Sequence, residues 1–179
     1  EEALEFLVKL HQMFNGTRKS LLERRKETHH KILAGNNPTF LRETESIRKG
    51  NWQVDPIPED LQDRRCEITG PAEAKMMINA LNSGAKIFMA DLDDSITPNS
   101  YNQIQGQVNL SAAYERTLQF TNTKAKEYRL NDGELATLIV RPRGWHLEEK
   151  HILIDGEVAS GSLVDAGLYL YHNIKRTLE

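Results

Sequence analysis

The spacing of hydrophobic and polar positions changes along the chain and divides it into two stretches. Leu4, Leu7, Val8 and Phe14 recur near helical spacing among Glu and Lys residues, which predicts a helix over residues 2–14. Asn15-Gly16 is expected to stop it. Thr17 then caps a second predicted helix, about 17–34, which Gly35 ends. That helix is polar from Glu23 to Lys31, so it is expected to cover another domain rather than supply its core. A third helix is predicted over about 39–49. Residues 50–60, with Trp52, Pro56 and Pro58, read as an extended linker, because proline disfavours helix at its own position and at the one before.

From residue 66 strand and helix patterns alternate. Cys66–Thr69 is a short strand candidate, and Gly70-Pro71 is expected to open a helix that Asn82–Gly84 ends. Lys86–Ala90 is a nearly continuous apolar run, as in a strand buried on both faces. It runs into Asp91-Leu92-Asp93-Asp94-Ser95, a loop with Pro98 and Asn99, and a helix predicted at about 107–119. Thr117–Thr121 and Lys126–Leu130 are expected to pair as a small antiparallel excursion. Ala136–Val140 is the second apolar strand and ends in Arg141-Pro142-Arg143-Gly144. Ile152–Ile154 and Glu157–Ala159 flank Asp155-Gly156, the dipeptide that primed hairpin turns prefer. An amphipathic helix is predicted over 163–178. The domain division is expected at residues 1–58 and 59–179. Both ends of the chain read as helix, including Asn173–Glu179, so the chain is expected to be part of something longer.

Composition narrows the function classes. The 179 residues allow one domain, or a domain with a small appendage. A net charge of -3 argues against a nucleic-acid-coating protein, which needs a concentrated positive surface. No apolar run approaches the roughly 20 residues that span a bilayer. Cys66 is the sole cysteine, so neither a disulfide framework nor a cysteine metal cluster is possible, and a reducing compartment is expected. The Asp60–Arg65 charge cluster reads as a solvated face.

The candidate chemistry lies where the two apolar strands end. The first ends in Asp91, Asp93 and Asp94, the second in Arg141 and Arg143. In parallel α/β sheets ligands bind beyond the carboxyl ends of the strands. By strand alternation Asp91 and Asp93 share one face and Asp94 takes the other, while Arg141 and Arg143 share a face. Arginine suits bidentate recognition of a carboxylate or phosphate. The alternative is an ion-pair network closing the sheet end, and these residues alone leave both open. Other motifs carry less. His29 and His30 are adjacent on a helix and do not face each other. His146 and His151, with Glu148 and Glu149 between them, lack the spacing of a zinc pair. Ser160-Gly161-Ser162 lacks the outer glycines, and the expected preceding strand, of a nucleophile elbow. No Walker or dinucleotide glycine motif is present.

Several segments, in order and at matching spacing, resemble the early part of malate synthases of the shorter A isoform. They are Asp63–Pro71, Lys75–Asn82, Phe88–Ser95, Gln103–Leu110, Arg141–Leu147 with Glu149-Lys150-His151, and Gly161–Leu163 through Tyr171–Asn173. The resemblance implies an α/β fold: an N-terminal helical clasp followed by a TIM (β/α)8 barrel. A full barrel needs about 250 residues, so the clasp and the first two βα units are expected here, with the barrel incomplete. It implies a Mg²⁺-dependent acyltransferase of the glyoxylate bypass, condensing glyoxylate with acetyl-CoA and water to malate and CoA. The Mg²⁺ ligands and the catalytic aspartate base are expected outside this chain, which alone is expected to be inactive. Arg141 matches the family's active-site arginine, which would bind glyoxylate and stabilise the developing alkoxide. Asp91, Asp93, Asp94 and Arg143 are expected to contact substrate or to support those contacts, although the family usually has Glu where Asp93 stands. Ile96, Thr97, Pro98 and Asn99 are expected near CoA. The expected partners are the two small-molecule substrates and the rest of the same polypeptide, with no nucleic acid and no membrane. The expected location is cytoplasmic, or peroxisomal or glyoxysomal in a eukaryote. A non-catalytic binding or structural module derived from this fold is the alternative.

Overall fold

A computed structural model describes residues 1–177. The first helix, α1, runs unbroken from Glu2 to Leu33, so the expected stop at Asn15-Gly16 does not occur. A helical glycine costs only about 1 kcal/mol, and tertiary contacts oppose the break. Asn15 is buried, its amide donates to Glu157 Oε2 at 3.0 Å, and its Oδ1 accepts from Arg18 Nε at 2.9 Å. Leu7, His11, Asn15 and Arg18 form the buried stripe, and the polar half beyond Arg18 is exposed apart from half-buried Leu22. The third predicted helix shrinks to a 3₁₀ turn at Arg42–Thr44 and α2, Glu45–Lys49. Residues 51–58 form neither helix nor strand. Asp63 pairs with Arg65 and Arg64 with Glu67 on the surface, as a solvated cluster does.

Three parallel strands form the central sheet in the order β1 (Glu67–Pro71), β2 (Ile87–Asp91), β5 (Thr137–Arg141). The two apolar runs therefore pair as parallel neighbours. β1 continues through Gly70 and Pro71, where a helix start was expected, because both positions are in register with Ala90 and Asp91 of β2. Proline is tolerated at the end of such an outer strand. The helix α3 begins only at Ala74 and ends at Leu81. Each of the three strands is followed by a helix, one βα unit more than expected. The strand candidate Cys66–Thr69 is β1, shifted to Glu67–Pro71; the count of two units came from the family resemblance and not from the strand pattern.

Helix α4 spans Ser100–Tyr114, well before the predicted position, because Asn99 Oδ1 caps it by accepting from Asn102 N–H at 2.8 Å. The antiparallel excursion is β3 (Gln119–Thr121) with β4 (Glu127–Arg129). The hairpin is β6 (Glu148–Ile154) with β7 (Glu157–Ser160), and Asp155 and Gly156 take the positive φ values of a primed turn. Helix α5 runs Gly161–Thr177; Leu178 and Glu179, included in the sequence expectation of helix, lie outside the described residues.

Met77, Ile78, Phe88, Leu92 and Leu110 anchor the core between the sheet and helices α3 and α4. A second cluster of Leu7, Ile154, Ala159, Val164 and Leu168 joins α1, the hairpin and α5. Among the described residues the outer edges of β1 and β5 have no strand partner, and the sheet does not close.

Candidate active site

Two register partners make the tip of the sheet. Asp91 ends β2 opposite Arg141, which ends β5, and Leu92 N–H donates to Arg141 O at 3.0 Å. Asp91 is fully buried. Its Oδ1 accepts from Asp93 N–H at 2.8 Å and its Oδ2 from Ser95 Oγ at 2.9 Å, so the carboxylate folds the chain after β2 into a tight turn. Arg141 Nη1 reaches Asp91 Oδ2 at 3.3 Å. Its Nη2 donates to Asp93 Oδ2 at 3.0 Å and to Asp94 Oδ2 at 2.7 Å. The expected split of Asp94 from Asp91 and Asp93 does not hold. The strand stops at Asp91, alternation stops with it, and the turn brings all three carboxylates onto one guanidinium.

The Arg141 side chain keeps 37% of its surface open to solvent, so it is held by acids and still reachable. The hydrogen bond it donates to Asp94, then the three aspartate charges, raise its pKa above the ordinary arginine value. It stays cationic at any working pH.

Arg143 does not converge on the same carboxylates. It is buried, and its Nε and Nη2 grip Asp165 at 2.8 and 2.7 Å while Nη1 donates to Glu149 Oε2 at 2.8 Å. Glu149 Oε1 in turn meets His151 Nδ1 at 2.6 Å and His151 N–H at 3.1 Å. Both arginines are ion-paired, as the network reading expected, but they differ in exposure. Arg141 forms a half-open charged tip and Arg143 a buried ion-pair clamp. Asp165 was missed from the sequence. Its signal is an acid inside the apolar stripe of α5, between Val164 and Leu168.

Ile96 is buried and Thr97, Pro98 and Asn99 are exposed. Ile96 lines a cleft of about 480 Å³ with Lys75, Tyr101, Asn102, Gln105 and Phe120. Asn99 is engaged as the α4 cap, and Thr97 O accepts from Asn102 Nδ2 at 3.0 Å. A strand, β7, does precede Ser160-Gly161-Ser162, contrary to expectation. Ser160 is nevertheless buried, with its Oγ facing Leu163 N–H at 3.4 Å, so it presents no nucleophile. Among the described residues no three His, Cys, Asp or Glu side chains are arranged to hold a metal ion. The oxygens of Asp91 and those that Asp93 and Asp94 turn to Arg141 are committed to the hydrogen bonds above. These residues do not fit a Mg²⁺ site by themselves.

Residues 1–46 match the N-terminal domain model of malate synthase, and residues 137–179 match its TIM-barrel domain model. The chain is 52% identical to malate synthase of Myxococcus xanthus over 177 residues, 99% of this chain and 32% of that protein. It is 49% identical to malate synthase of Dictyostelium discoideum, over 97% of this chain and 32% of the relative. It is 51% identical to the glyoxysomal malate synthase of Gossypium hirsutum, over 97% of this chain and 30% of the relative. The chain thus spans about a third of the length of the curated relatives it matches. With identity of this level over nearly its whole length, and both domain models matched in order, the chain is similar throughout to about a third of a malate synthase.

Proposed function

We propose that the full-length protein condenses glyoxylate with acetyl-CoA and water to give malate and CoA, and that Arg141 binds the glyoxylate. The observation that carries this is the half-open guanidinium at the carboxyl end of β5, held among three carboxylates. A base outside the described residues takes one proton from the acetyl methyl, and the resulting carbanion equivalent attacks the aldehyde carbon. The carbonyl π electrons move to oxygen, and that oxygen becomes the alkoxide. A fixed cation beside it offsets the developing charge without reorganisation. A proton is returned to that oxygen as the malate hydroxyl forms. Water then cleaves the thioester and releases the CoA thiol.

In this reading Asp91, Asp93 and Asp94 aim Arg141, and Arg143 holds the chain that follows it. The cleft beside Ile96 receives part of acetyl-CoA, and Thr97, Pro98 and Asn99, which follow Ile96 in the chain, contact it. Residues 1–58 serve as the helical clasp and 59–179 as the start of the barrel. Magnesium dependence belongs to the full-length protein, with ligands outside the residues described, and no step above runs through the metal. No helix among the described residues is long and apolar enough to cross a membrane. The cytoplasm, or in a eukaryote the peroxisome or glyoxysome, suits this activity, and the glyoxysomal naming of plant relatives supports the second.

The test is incubation of the purified full-length protein with both substrates, following CoA thiol and malate together. Equimolar appearance of the two is expected. Thiol release that does not depend on glyoxylate, or no release, defeats the reading and favours a non-catalytic module.

A further inference from the structure

Helix α4 carries amides where a helix packed on a sheet ordinarily carries apolar side chains. Gln103, Gln107 and Asn109 are all buried. They lie in the Gln103–Leu110 run that helps carry the family resemblance, yet the reaction described above does not use them. Each donates to a backbone carbonyl of another part of the fold. Gln103 Nε2 reaches Leu92 O at 3.2 Å, Gln107 Nε2 reaches Asp165 O at 3.1 Å, and Asn109 Nδ2 reaches Ala72 O at 2.8 Å.

The acceptors are not arbitrary. Leu92 lies between Asp91 and Asp93, so Gln103 holds the turn that presents the carboxylates to Arg141. Asp165 is the residue that grips Arg143, two positions past Arg141, so Gln107 holds the other side of the same tip. Packing alone does not account for the amides. Leucine or methionine fills comparable space without a polar atom, whereas Gln103 Oε1 and Gln107 Oε1 are buried and find no partner among the described residues. A buried, unpaired oxygen opposes folding, so the amide hydrogens must serve something that a hydrocarbon side chain does not.

We propose that Gln103 and Gln107 are positioning residues, one helical turn apart, that hold the carboxylate turn and the Arg143 clamp at the separation Arg141 needs. The catalytic part of this inference rests on the proposed condensation; the positioning part does not.

Two near-isosteric variants of the full-length protein test it, Gln103→Met and Gln107→Met. By hydrogen exchange with mass spectrometry, Gln103→Met should speed exchange about tenfold in the peptide spanning 91–95 and leave 161–168 unchanged. Gln107→Met should do the reverse. In steady state each variant should lose about 10- to 100-fold in kcat, as a small misplacement of a catalytic group does. The KM for acetyl-CoA should stay within about twofold, and the melting temperature should not fall. Unchanged exchange at 91–95 in Gln103→Met overturns the proposal, as does equal acceleration across the whole protein. Local exchange changes with normal kcat overturn its catalytic part. If the unmodified protein shows no glyoxylate-dependent thiol release, the functional reading fails, and the exchange patterns still decide the positioning.

Discussion

Arg143 and Asp165, 22 residues apart in sequence, are joined by three hydrogen bonds, from the arginine backbone N–H at 3.0 Å, from Nε at 2.8 Å and from Nη2 at 2.7 Å. Glu149 completes the clamp from the hairpin, so the chain after β5 is tied to β6 and α5 at once. Gly161 leaves room for it, since a Cβ there would stand 3.0 Å from the Arg143 Nε. Arg143→Ala leaves two buried carboxylates without their partner, and breaking such a pair typically costs about 3–5 kcal/mol. Urea unfolding should show a loss of this size. Turnover per folded molecule should fall less than in Arg141→Ala.

Arg141 calls for the opposite outcome. Its side chain is partly exposed and its contacts lie at the tip, so Arg141→Ala in the full-length protein should fold normally and lose about 10²–10³ in turnover. Arg141→Lys should recover only part of this, because a point charge cannot span Asp91, Asp93 and Asp94 as the fork does. Near-normal turnover in Arg141→Ala would remove the arginine from the mechanism.

The two acids of the clamp should respond to pH with opposite sign. At Glu149 burial raises the carboxyl pKa, but hydrogen bonds from the His151 side chain and backbone and from Arg143 outweigh it, and the result lies below the ordinary 4.5. At Asp165 burial dominates the Arg143 contacts, and the carboxyl lies above its ordinary 3.8. A depressed carboxyl stabilises the fold fully above its unfolded pKa and loses that contribution as the pH falls through its folded pKa. The stability gap between the unmodified protein and Glu149→Gln should therefore shrink as the pH is lowered below 4.5. For Asp165→Asn the gap should shrink as the pH rises above 3.8 through the folded pKa, because there the native state binds more protons than the unfolded chain. Urea midpoints at a series of pH values measure both gaps; gaps that do not move with pH contradict the assignment.

Helix α1 docks on α5 where Gly167 has no side chain. A Cβ there would stand 2.6 Å from Leu7 Cδ2 and 2.8 Å from Leu10 Cδ1. For Gly167→Ala the helix-propensity gain of about 1 kcal/mol offsets part of an overpacking cost of about 1–3 kcal/mol, so the change should be small. Gly167→Leu has no such balance, since Leu7 is buried and cannot swing aside. It should lower the melting temperature by several degrees and speed hydrogen exchange along residues 2–18. Unchanged exchange in α1 would mean that the helix is held mainly by its polar seam with the hairpin.

The two charged strand ends were legible because their chemistry follows a one-dimensional rule. A continuous apolar run such as Ile87–Ala90 reads as a buried strand, and the residues just past it fall where parallel sheets place their ligands. The Asp155-Gly156 turn and the α5 helix were legible for the same reason, since each is specified by neighbours along the chain. The end of β1 was less legible: Gly70-Pro71 reads locally as a helix start, but pairing with Ala90 and Asp91 keeps both residues in the strand.

The sequence by itself carried the malate synthase resemblance, the parallel pairing of the two apolar strands, and Arg141 with its aspartates as the place to look. Only the tertiary structure decided that α1 passes through Asn15-Gly16, that Asp94 joins Asp91 and Asp93, that Arg143 turns away to Asp165, and that Gln103 and Gln107 bind carbonyls beneath the tip. Each of these outcomes rests on a partner distant in sequence or on a turn that ends the strand alternation. A helix-stop rule of about 1 kcal/mol yields when Glu157, 142 residues away, bonds Asn15. Local pattern assigns residues to elements, whereas the direction of a buried polar side chain is set by whichever partner the fold brings within hydrogen-bond reach.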